Sequence, residues 1–305
     1  MPEVKEIDVP SPAEMGVAIE GSLHWWPGDS AGAALPEFDP YGSQKFYIEI
    51  FNRGKTPFNY SIEPGKDWIR VDSGKGKVET EKRVWVTVDW KKAPAGKGHV
   101  PITILGPHNT RVVVQAMINH PSLKNTNGFV ESNGYISMEA EHYSKAVNAS
   151  PIAWQRIPGL GRTRSAMTAM PVTAVPQSPG GSGARLEYRV FLFSKWEVRV
   201  KAYLSPTLNF HGEGLRYAIS FDQEQPQIIN MHPDNANRTW EHWVADNINV
   251  QVSGHVLAEP GEHLLKFWMV DPGVILQKLV IETGVERPSY LGPPESFFPG
   301  APRAR

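Results

Sequence analysis

The chain has 305 residues, no cysteine and a formal net charge of −1 at pH 7. This length is sufficient for two domains of ordinary size and favours them over a single large one. Because Lys and Arg are scattered and balanced by acidic residues, the charge does not support nucleic acid or an anionic membrane surface as a partner. The absence of cysteine excludes disulfides and thiol chemistry, and no stretch approaches the ~20 apolar residues of a membrane-spanning helix.

The first part of the chain predicts a linker followed by a small β-sandwich. Residues 1–22 contain three prolines and little apolar periodicity, which indicates a linker or an entering arm. After that, short alternating runs are separated by Gly and Pro turns, with no helical stretch between them. This spacing predicts an immunoglobulin-like β-sandwich over residues 23–121. Its predicted strands cover residues 45–52, 58–62, 68–71, 83–90, 99–105 and 111–118.

The second part predicts another all-β domain over residues 122–285, so that the chain is a pair of tandem β-sandwiches. The stretches 154–162 and 176–183 are rich in loop-forming residues and are predicted as surface loops. Residues 286–305 are rich in proline and are predicted to form a tail that is extended over a surface or disordered. The first predicted strand of this domain lies within residues 134–143. The later ones cover residues 185–194, 195–204, 215–222, 227–231, 249–257, 262–270 and 274–282.

Two local patterns in this second domain assign side chains to faces. Apolar residues alternate with charged ones over 195–204, so that Trp196, Val198 and Val200 are predicted to share the buried face. Residues 238–244 form the one predicted helical turn, in which Trp240 and Trp243 lie side by side at i,i+3.

Glu139 and Glu141 open the second domain in an alternating stretch, Gly134 to Tyr143, that is typical of a strand. A strand would place the two carboxylates on one face, roughly 7 Å apart at the backbone. Such a pair could share a hard cation such as calcium, or both could be solvated. A glycosidase usually takes its two carboxylates from opposite sides of the substrate, so neighbours on one strand are a poor source for a catalytic pair.

Motifs for catalysis are missing from the sequence. It contains no H-E-x-x-H, no G-x-S-x-G and no glycine-rich phosphate loop. The ten histidines do not have the spacing of metal ligands. The chain is therefore not expected to be an enzyme by itself, and no catalytic residue is assigned.

Five stretches taken together resemble the C-terminal, non-barrel region of glycoside hydrolase family 115, the xylan α-1,2-glucuronidases. The resemblance covers almost the whole chain and is specific in its second half. The stretches are residues 16–21, 88–90, Ile157-Pro158-Gly159-Leu160-Gly161-Arg162, Pro206-Thr207-Leu208-Asn209-Phe210 and Lys266-Phe267-Trp268-Met269-Val270-Asp271-Pro272-Gly273-Val274.

The resemblance implies a parent enzyme whose catalytic barrel precedes this region and removes glucuronic acid or its 4-O-methyl ether from xylan. No position here matches the family's catalytic residues. The chain is expected to be bacterial and secreted or periplasmic. The absence of cysteine is compatible with export from a bacterium, although Met1 to Lys5 lacks the basic and apolar regions of a signal peptide. If the chain is exported, its signal is expected elsewhere.

The stretches around Glu139 and residues 261–281 also resemble carbohydrate-binding modules with a galactose-binding-like jelly roll. In some of those families the opening glutamates, here Glu139 and Glu141, contribute to a structural calcium site. A later acidic ligand often lies in the closing strand, where this chain has Gln277. The resemblance therefore implies a structural calcium site in which Gln277 replaces one acidic ligand.

Sugar recognition matches the remaining residues best. Flat aromatic faces bind pyranose rings, and Arg or Lys would bind a uronate. The alternative for each tryptophan is burial in the core or against a neighbouring domain. The candidate carbohydrate-binding residues are Trp154, Arg156 and Arg162 in one loop, Asn209, Phe210 and His211 in a second, and Trp240 and Trp243 in a third.

Two functions follow from this reading. The first is a carbohydrate-binding module that anchors an enzyme to plant cell-wall xylan or glucuronoxylan. The second is a structural region that forms a homodimer or packs on a catalytic domain. A hydrolase in its own right would need two carboxylates from different elements converging in one cleft, which the sequence does not indicate.

Overall fold

The computed structural model describes residues 8–121, 123, 126–210, 212–234, 236–284 and 289–298. The chain divides into two compact units, Met1–Leu123 and Lys124–Arg305. Both units are built from β-strands arranged in pairs of sheets. The predicted all-β fold class of tandem β-sandwiches is confirmed.

The first unit is a sandwich of two five-stranded sheets: sheet A has the strand order β2-β1-β4-β8-β6, and sheet B has the order β3-β10-β9-β5-β7. Alternate residues of the strands point into one core; in β4, for example, Phe46, Ile48 and Ile50 are buried. Its strands are β1 (Met15–Ile19), β2 (Trp25–Trp26), β3 (Ala33–Ala34), β4 (Phe46–Asn52), β5 (Phe58–Pro64), β6 (Ile69–Val71), β7 (Lys75–Val78), β8 (Glu81–Val88), β9 (Gly96–Leu105) and β10 (Arg111–His120).

Strand β1 lies inside the stretch predicted to be a linker, and this part of that prediction is wrong. Met15, Val17 and Ile19 are buried, and β1 pairs antiparallel with both β2 and β4. The run is only five residues long, so that its periodicity is weak until the neighbouring strands are known.

The second unit is a sandwich of two six-stranded sheets. Sheet C has the order β11-β16-β21-β18-β19, with β13 also paired to β16, and sheet D has the order β14-β15-β22-β17-β20, with β12 also paired to β22. Its strands are β11 (Phe129–Val130), β12 (Tyr135–Glu139), β13 (Lys145–Val147), β14 (Ala153–Ile157), β15 (Ala166–Met170), β16 (Arg185–Leu192), β17 (Trp196–Leu204), β18 (Arg216–Phe221), β19 (Gln227–Asn230), β20 (Asn249–Leu257), β21 (Gly261–Met269) and β22 (Ile275–Glu282).

The core of the second unit lies between these two sheets. Tyr188, Tyr217 and Phe267 are buried there, and the rings of Tyr217 and Phe267 stack with their centres 5.1 Å apart. The predicted helix is present as α1 (Asn237–Asp246), between β19 and β20. No helix in the described ranges is long and apolar enough to cross a membrane.

Trp196 does not share the buried face of β17. Val198 and Val200 are buried as predicted, but the Trp196 side chain is 61% exposed. Its φ of +73° lies in the left-handed region, so the Trp196 side chain does not follow the alternating in-and-out pattern of the strand. The face predicted for the rest of β17 is correct.

The described part of the C-terminal tail, residues 289–298, packs on the second unit. The Ser296 amide donates to the carbonyl of Ser137 on β12 at 2.9 Å, and the Val130 amide donates to the Phe297 carbonyl at 2.9 Å. The Phe298 ring packs edge-on against Phe129. We call these ten residues the C-terminal segment.

Candidate functional site

The Phe210 loop, residues 205–210 and 212–215, joins β17 to β18 at one end of the second unit. Phe210 is 52% exposed and Leu208 is 67% exposed. The amide of Phe210 donates to the carbonyl of Leu208 at 2.9 Å, and the Asn209 side-chain oxygen accepts the Gly214 amide at 2.9 Å. The loop therefore presents an aromatic ring on a backbone that its own hydrogen bonds fix.

A neighbouring turn packs against the Phe210 ring. This turn joins β21 to β22, and a Cβ added at Gly273 would lie 2.9 Å from a ring atom of Phe210. Gly273 has a φ of +84°, so glycine satisfies both the backbone conformation and the close approach of the ring. Four hydrogen bonds hold the turn to β18. The Asp271 carboxylate accepts the Arg216 guanidinium at 2.8 and 3.1 Å and the Arg216 amide at 2.8 Å, and the Asp271 amide donates to the Arg216 carbonyl at 2.9 Å. The hydrogen bonds and charge of Asp271 raise the pKa of Arg216.

His232 lies between helix α1 and the same loop. The Leu215 amide donates to His232 Nδ1 at 3.2 Å, and His232 Nε2 lies 2.8 Å from the Thr207 carbonyl. This pattern requires an imidazole that carries its proton on Nε2. The Trp243 ring packs edge-on against His232, with centres 5.8 Å apart.

Two of the three predicted groups therefore meet at this end of the unit, with unequal exposure. Trp243 is buried, as the structural alternative allowed, and Trp240 is half-buried on the same helix. Phe210 is the exposed aromatic ring among the predicted residues that the structure describes. His211 lies outside the described residues.

The third predicted group does not form a loop platform. Trp154 and Arg156 lie on strand β14, which replaces the first part of the predicted loop. The Trp154 ring packs edge-on against Phe267 in the core, and its buried Nε1 has no hydrogen-bond partner among the described residues. The loop prediction failed here because residues 153–157 form a strand by pairing with β15, and the local sequence does not indicate this pairing.

Arg162 connects three parts of the second unit. Its guanidinium donates to the carbonyl of Asp246 at the C-terminal end of α1 and to the carbonyl of Tyr290 in the C-terminal segment. It also stacks on the Tyr290 ring at 4.1 Å. A cation at the end of a helix is favourable because the last carbonyls carry partial negative charge.

Glu139 and Glu141 do not share one strand face, because β12 ends at Glu139 and a 3-10 turn follows over Ala140–His142. Glu141 accepts the Ser165 amide at 3.2 Å and forms an ion pair with Arg156 at 2.7 Å. Burial of Glu141 opposes ionisation, but the Ser165 hydrogen bonds and the Arg156 charge outweigh it and hold the pKa of Glu141 below its ordinary value. Glu139 is directed to a different group.

Lys278 is the cation that contacts Glu139. Its ammonium lies 3.2 Å from Glu139 Oε1, and both residues are only 3% exposed. The Thr163 hydroxyl donates to the same oxygen at 2.6 Å. Lys278 also donates to the carbonyls of Leu291 and Pro293 in the C-terminal segment, at 3.3 and 3.2 Å.

These residues do not fit a calcium ion at Glu139. Calcium needs about six to eight oxygen ligands, whereas the cavity beside Glu139, Thr163 and Lys278 has a volume of about 10 Å³. Gln277, at the position of the expected acidic ligand, is engaged with the Arg162 amide at 3.0 Å. In the part of the chain that the structure describes, no three His, Asp or Glu side chains are grouped to hold a metal. The calcium ion remains a prediction from the sequence.

The model of the glycosyl hydrolase family 115 C-terminal domain matches residues 128–295, which is more than half of the chain. The chain belongs to this family. The match confirms the resemblance noted in the sequence, and its range within the second unit includes the Phe210 loop and Lys278.

Solved structures similar to this family 115 chain include enzymes and carbohydrate-binding modules. One is a family GH115 4-O-methyl-α-glucuronidase with specificity for decorated arabinogalactans; it is 19% identical, with 55% of this chain and 19% of that chain covered, at a TM-score of 0.40. This chain thus spans about a fifth of that enzyme's length. The Podospora anserina GH26-CBM35 β-(1,4)-mannanase is 9% identical, with 52% of this chain and 29% of that chain covered, at a TM-score of 0.35.

A family 35 carbohydrate-binding module from Clostridium thermocellum is 14% identical, with 48% of this chain and 97% of that chain covered, at a TM-score of 0.33. Among curated proteins, no sequence matches this family 115 chain.

Proposed function

We propose that this chain is a non-catalytic C-terminal region of a xylan-degrading α-glucuronidase, and that its second unit binds xylan or glucuronoxylan through the Phe210 loop. The observation that carries the proposal is the 52% exposure of the Phe210 ring on a loop held by hydrogen bonds. Membership of a glycosyl hydrolase family supports a polysaccharide as the partner.

The physics of sugar binding favours such a ring. The apolar C–H face of a pyranose packs on an aromatic ring, and this contact removes water from both surfaces. Because the hydrogen bond from Gly214 to Asn209 and the close approach of Gly273 already hold the described part of the loop, binding would not have to order that part. One exposed ring gives a small contact area, so we expect micromolar to millimolar affinity.

Affinity electrophoresis of the whole chain tests this function. Gels would contain glucuronoxylan, unsubstituted xylan, arabinogalactan or cellulose, because the similar GH115 enzyme is described as specific for decorated arabinogalactans. We expect xylans to retard the chain, and Phe210→Ala to weaken binding roughly two- to tenfold, as expected for an aromatic contact of about 0.5 to 1.5 kcal/mol.

Trp196→Ala is the matched control, since Trp196 is another exposed aromatic residue at the start of β17. Its mobility should equal that of the unsubstituted chain. Retardation by arabinogalactan alone would reject xylan as the ligand. Equal mobility in every gel would reject sugar binding altogether.

The parent reaction and the compartment complete the proposal. The catalytic carboxylates would belong to a barrel in the parent enzyme, which would remove glucuronic acid from xylan. Because plant cell-wall polysaccharides lie outside the cell, we propose a secreted or periplasmic enzyme. Detection of the full-length parent in the culture medium or periplasm of its source tests this location.

A second candidate function is a structural or dimerisation region, and an apolar stripe on strand β20 favours it. Val250, Val252 and Val256 alternate along this strand at the edge of sheet D and are 36%, 43% and 68% exposed. β-Branched residues on an exposed sheet edge can pair with a second copy of the same chain. Light scattering should then give a dimer mass that Val252→Lys converts to a monomer mass.

A further inference from the structure

A groove of about 200 Å³ lies on the outer face of sheet C, the face turned away from the core. We call it the Trp268 groove. Its floor contains Trp268 and Lys266 from β21 and Arg185 from β16, and its walls are residues 180–181 and 222–226. None of these residues belongs to the Phe210 loop.

Two cations lie close to the Trp268 ring. The guanidinium carbon of Arg185 is 4.8 Å from the ring centre, and the Lys266 ammonium is 6.0 Å from it. The ring itself is fixed, because its Nε1 donates to the Ser220 hydroxyl at 2.9 Å. Cations near an aromatic face are attracted by its negative charge density, which holds both side chains over the groove floor.

Both cations retain hydrogen-bond donors that have no acceptor in the part of the chain that the structure describes. Arg185 uses Nε for Glu187 and Nη1 for the carbonyls of Gly181 and Gly183, while Nη2 has no partner among the described residues. Lys266 donates to the carbonyl of Asp222 and forms no ion pair with any described carboxylate. An ammonium has three donors, so Lys266 has two left.

The carboxylates on the walls do not supply the missing acceptors. Asp222 accepts the Leu264 amide at 2.8 Å and contacts His263 at 2.7 Å, one with each oxygen. Glu224 accepts the Phe221 amide and contacts His255 with one oxygen, and accepts Gln227 with the other. The groove therefore offers positively charged donors that no described carboxylate accepts, and a ligand could supply the acceptors.

We propose that the Trp268 groove binds the carboxylate of an acidic sugar residue, with one oxygen toward Arg185 and one toward Lys266. Hydrogen bonds between charged partners are about twice as strong as neutral ones, so the carboxylate is recognised more strongly than a hydroxyl. The small volume of the groove fits a single sugar residue.

The charge of the walls selects a singly charged ligand. Asp222 and Glu224 lie beside the two cations, and their negative charge repels an anion in proportion to its charge. A phosphate monoester carries about two negative charges at neutral pH, whereas a uronate carries one. The uronate keeps the charged hydrogen bonds with the smaller repulsion.

Titration of the whole chain by NMR, observing the Trp268 indole N–H, tests the site. The ligands are methyl β-D-glucuronoside, methyl β-D-glucoside and glucose 6-phosphate. We expect the glucuronoside to shift the indole resonance with millimolar affinity, and the other two to bind about tenfold more weakly or not at all. Higher salt should weaken glucuronoside binding.

Substitutions then locate the ligand. Lys266→Met should weaken glucuronoside binding about tenfold, and Arg185→Gln should do the same, while Lys145→Met, an exposed lysine on the neighbouring strand β13, should have no effect. Circular dichroism and the Tm of each variant establish that it is folded. Equal binding of glucoside and glucuronoside, unchanged binding by Lys266→Met, or no shift with any ligand would overturn the proposal.

The same titration with Phe210→Ala separates this site from the Phe210 loop. If the glucuronoside binds the groove, Phe210→Ala leaves its affinity unchanged even where xylan retardation is lost. Loss of glucuronoside binding in Phe210→Ala, with binding retained in Lys266→Met, would assign the acidic sugar to the loop and reject the groove.

Discussion

Removing the charge of Lys278 is expected to destabilise the second unit strongly. Lys278→Met keeps most of the side-chain volume but leaves the Glu139 carboxylate without its cation in an environment where both residues are 3% exposed. Breaking a buried ion pair on one side costs about 3 to 5 kcal/mol, because the remaining charge is desolvated and unpaired.

The Thr163 hydroxyl bond to Glu139 remains in this variant, which favours the lower part of that range. The hydrogen bonds from Lys278 to the carbonyls of Leu291 and Pro293 are also lost, at about 1 kcal/mol each. We therefore expect a loss of about 3 to 5 kcal/mol in the free energy of unfolding of the second unit. For a unit of this size the Tm falls by roughly 6 to 20 °C.

The matched control is the double variant Lys278→Met with Glu139→Gln. An uncharged amide needs no cation and still accepts the Thr163 hydroxyl, so the double variant should recover the part of the loss that comes from the unpaired charge, while the two hydrogen bonds from Lys278 to the C-terminal segment stay lost. Urea unfolding of each chain, followed by circular dichroism and by hydrogen exchange of the C-terminal segment, measures the effect. A Lys278→Met chain within about 1 kcal/mol of the unsubstituted one would refute the reasoning.

A chelator separates the lysine from the predicted calcium ion at the same place. If Lys278 supplies the charge that balances Glu139, EDTA leaves the Tm of the unsubstituted chain unchanged. A Tm that falls in EDTA and returns with added calcium would instead support the ion, and would contradict the fit of the residues described above.

Two further substitutions test the Phe210 loop and the Glu141 ion pair. Gly273→Ala should weaken xylan binding and lower the free energy of unfolding by about 1 to 2 kcal/mol, because the new Cβ displaces the Phe210 ring and the φ of +84° disfavours alanine. Gly159→Ala controls for the backbone cost alone, because Gly159 has a φ of +70° and open space around it. Glu141→Gln should remove a pH-dependent part of the stability. Folding lowers the pKa of Glu141 from 4.5, so its ion pair with Arg156 stabilises the fold above pH 4.5. This contribution is lost as the pH falls through the lower pKa of the folded state. We expect the urea midpoints of the two chains to differ at pH 7 and to converge as the pH falls below 4.5 towards the folded pKa of Glu141. A difference between the midpoints that does not shrink as the pH falls would refute this assignment.

Local sequence determined the class of fold and most of its elements. In β17, Val198 and Val200 alternate with charged residues, and this period of two is a property of the strand itself that needs no partner to be seen. Helix α1 was also predictable, because Trp240 and Trp243 have the spacing of one helical face. The resemblance to family 115 was carried by contiguous stretches and could be recognised in the same way.

Short elements were missed because their order comes from their neighbours. Strand β1 and strand β14 each have five residues, too few for alternation to distinguish a strand from a loop. They are strands because β4 and β15 pair with them. Trp154, predicted to face a ligand, is packed in the core for the same reason.

The partners of charged side chains were decided by tertiary structure alone. The register of β12 on β22 places Glu139 opposite Lys278, a contact between residues 139 positions apart that no local pattern encodes. Exposure is decided in the same way: Trp243 and Phe210 look equally suited to a sugar in the sequence, but Trp243 is buried against His232, whereas the Phe210 ring lies beside Gly273 and is 52% exposed. The sequence by itself determined which elements form and which family they belong to, because those signals are local; which side chain meets which, and which ring reaches solvent, followed only from the packing of strands that are distant in the chain.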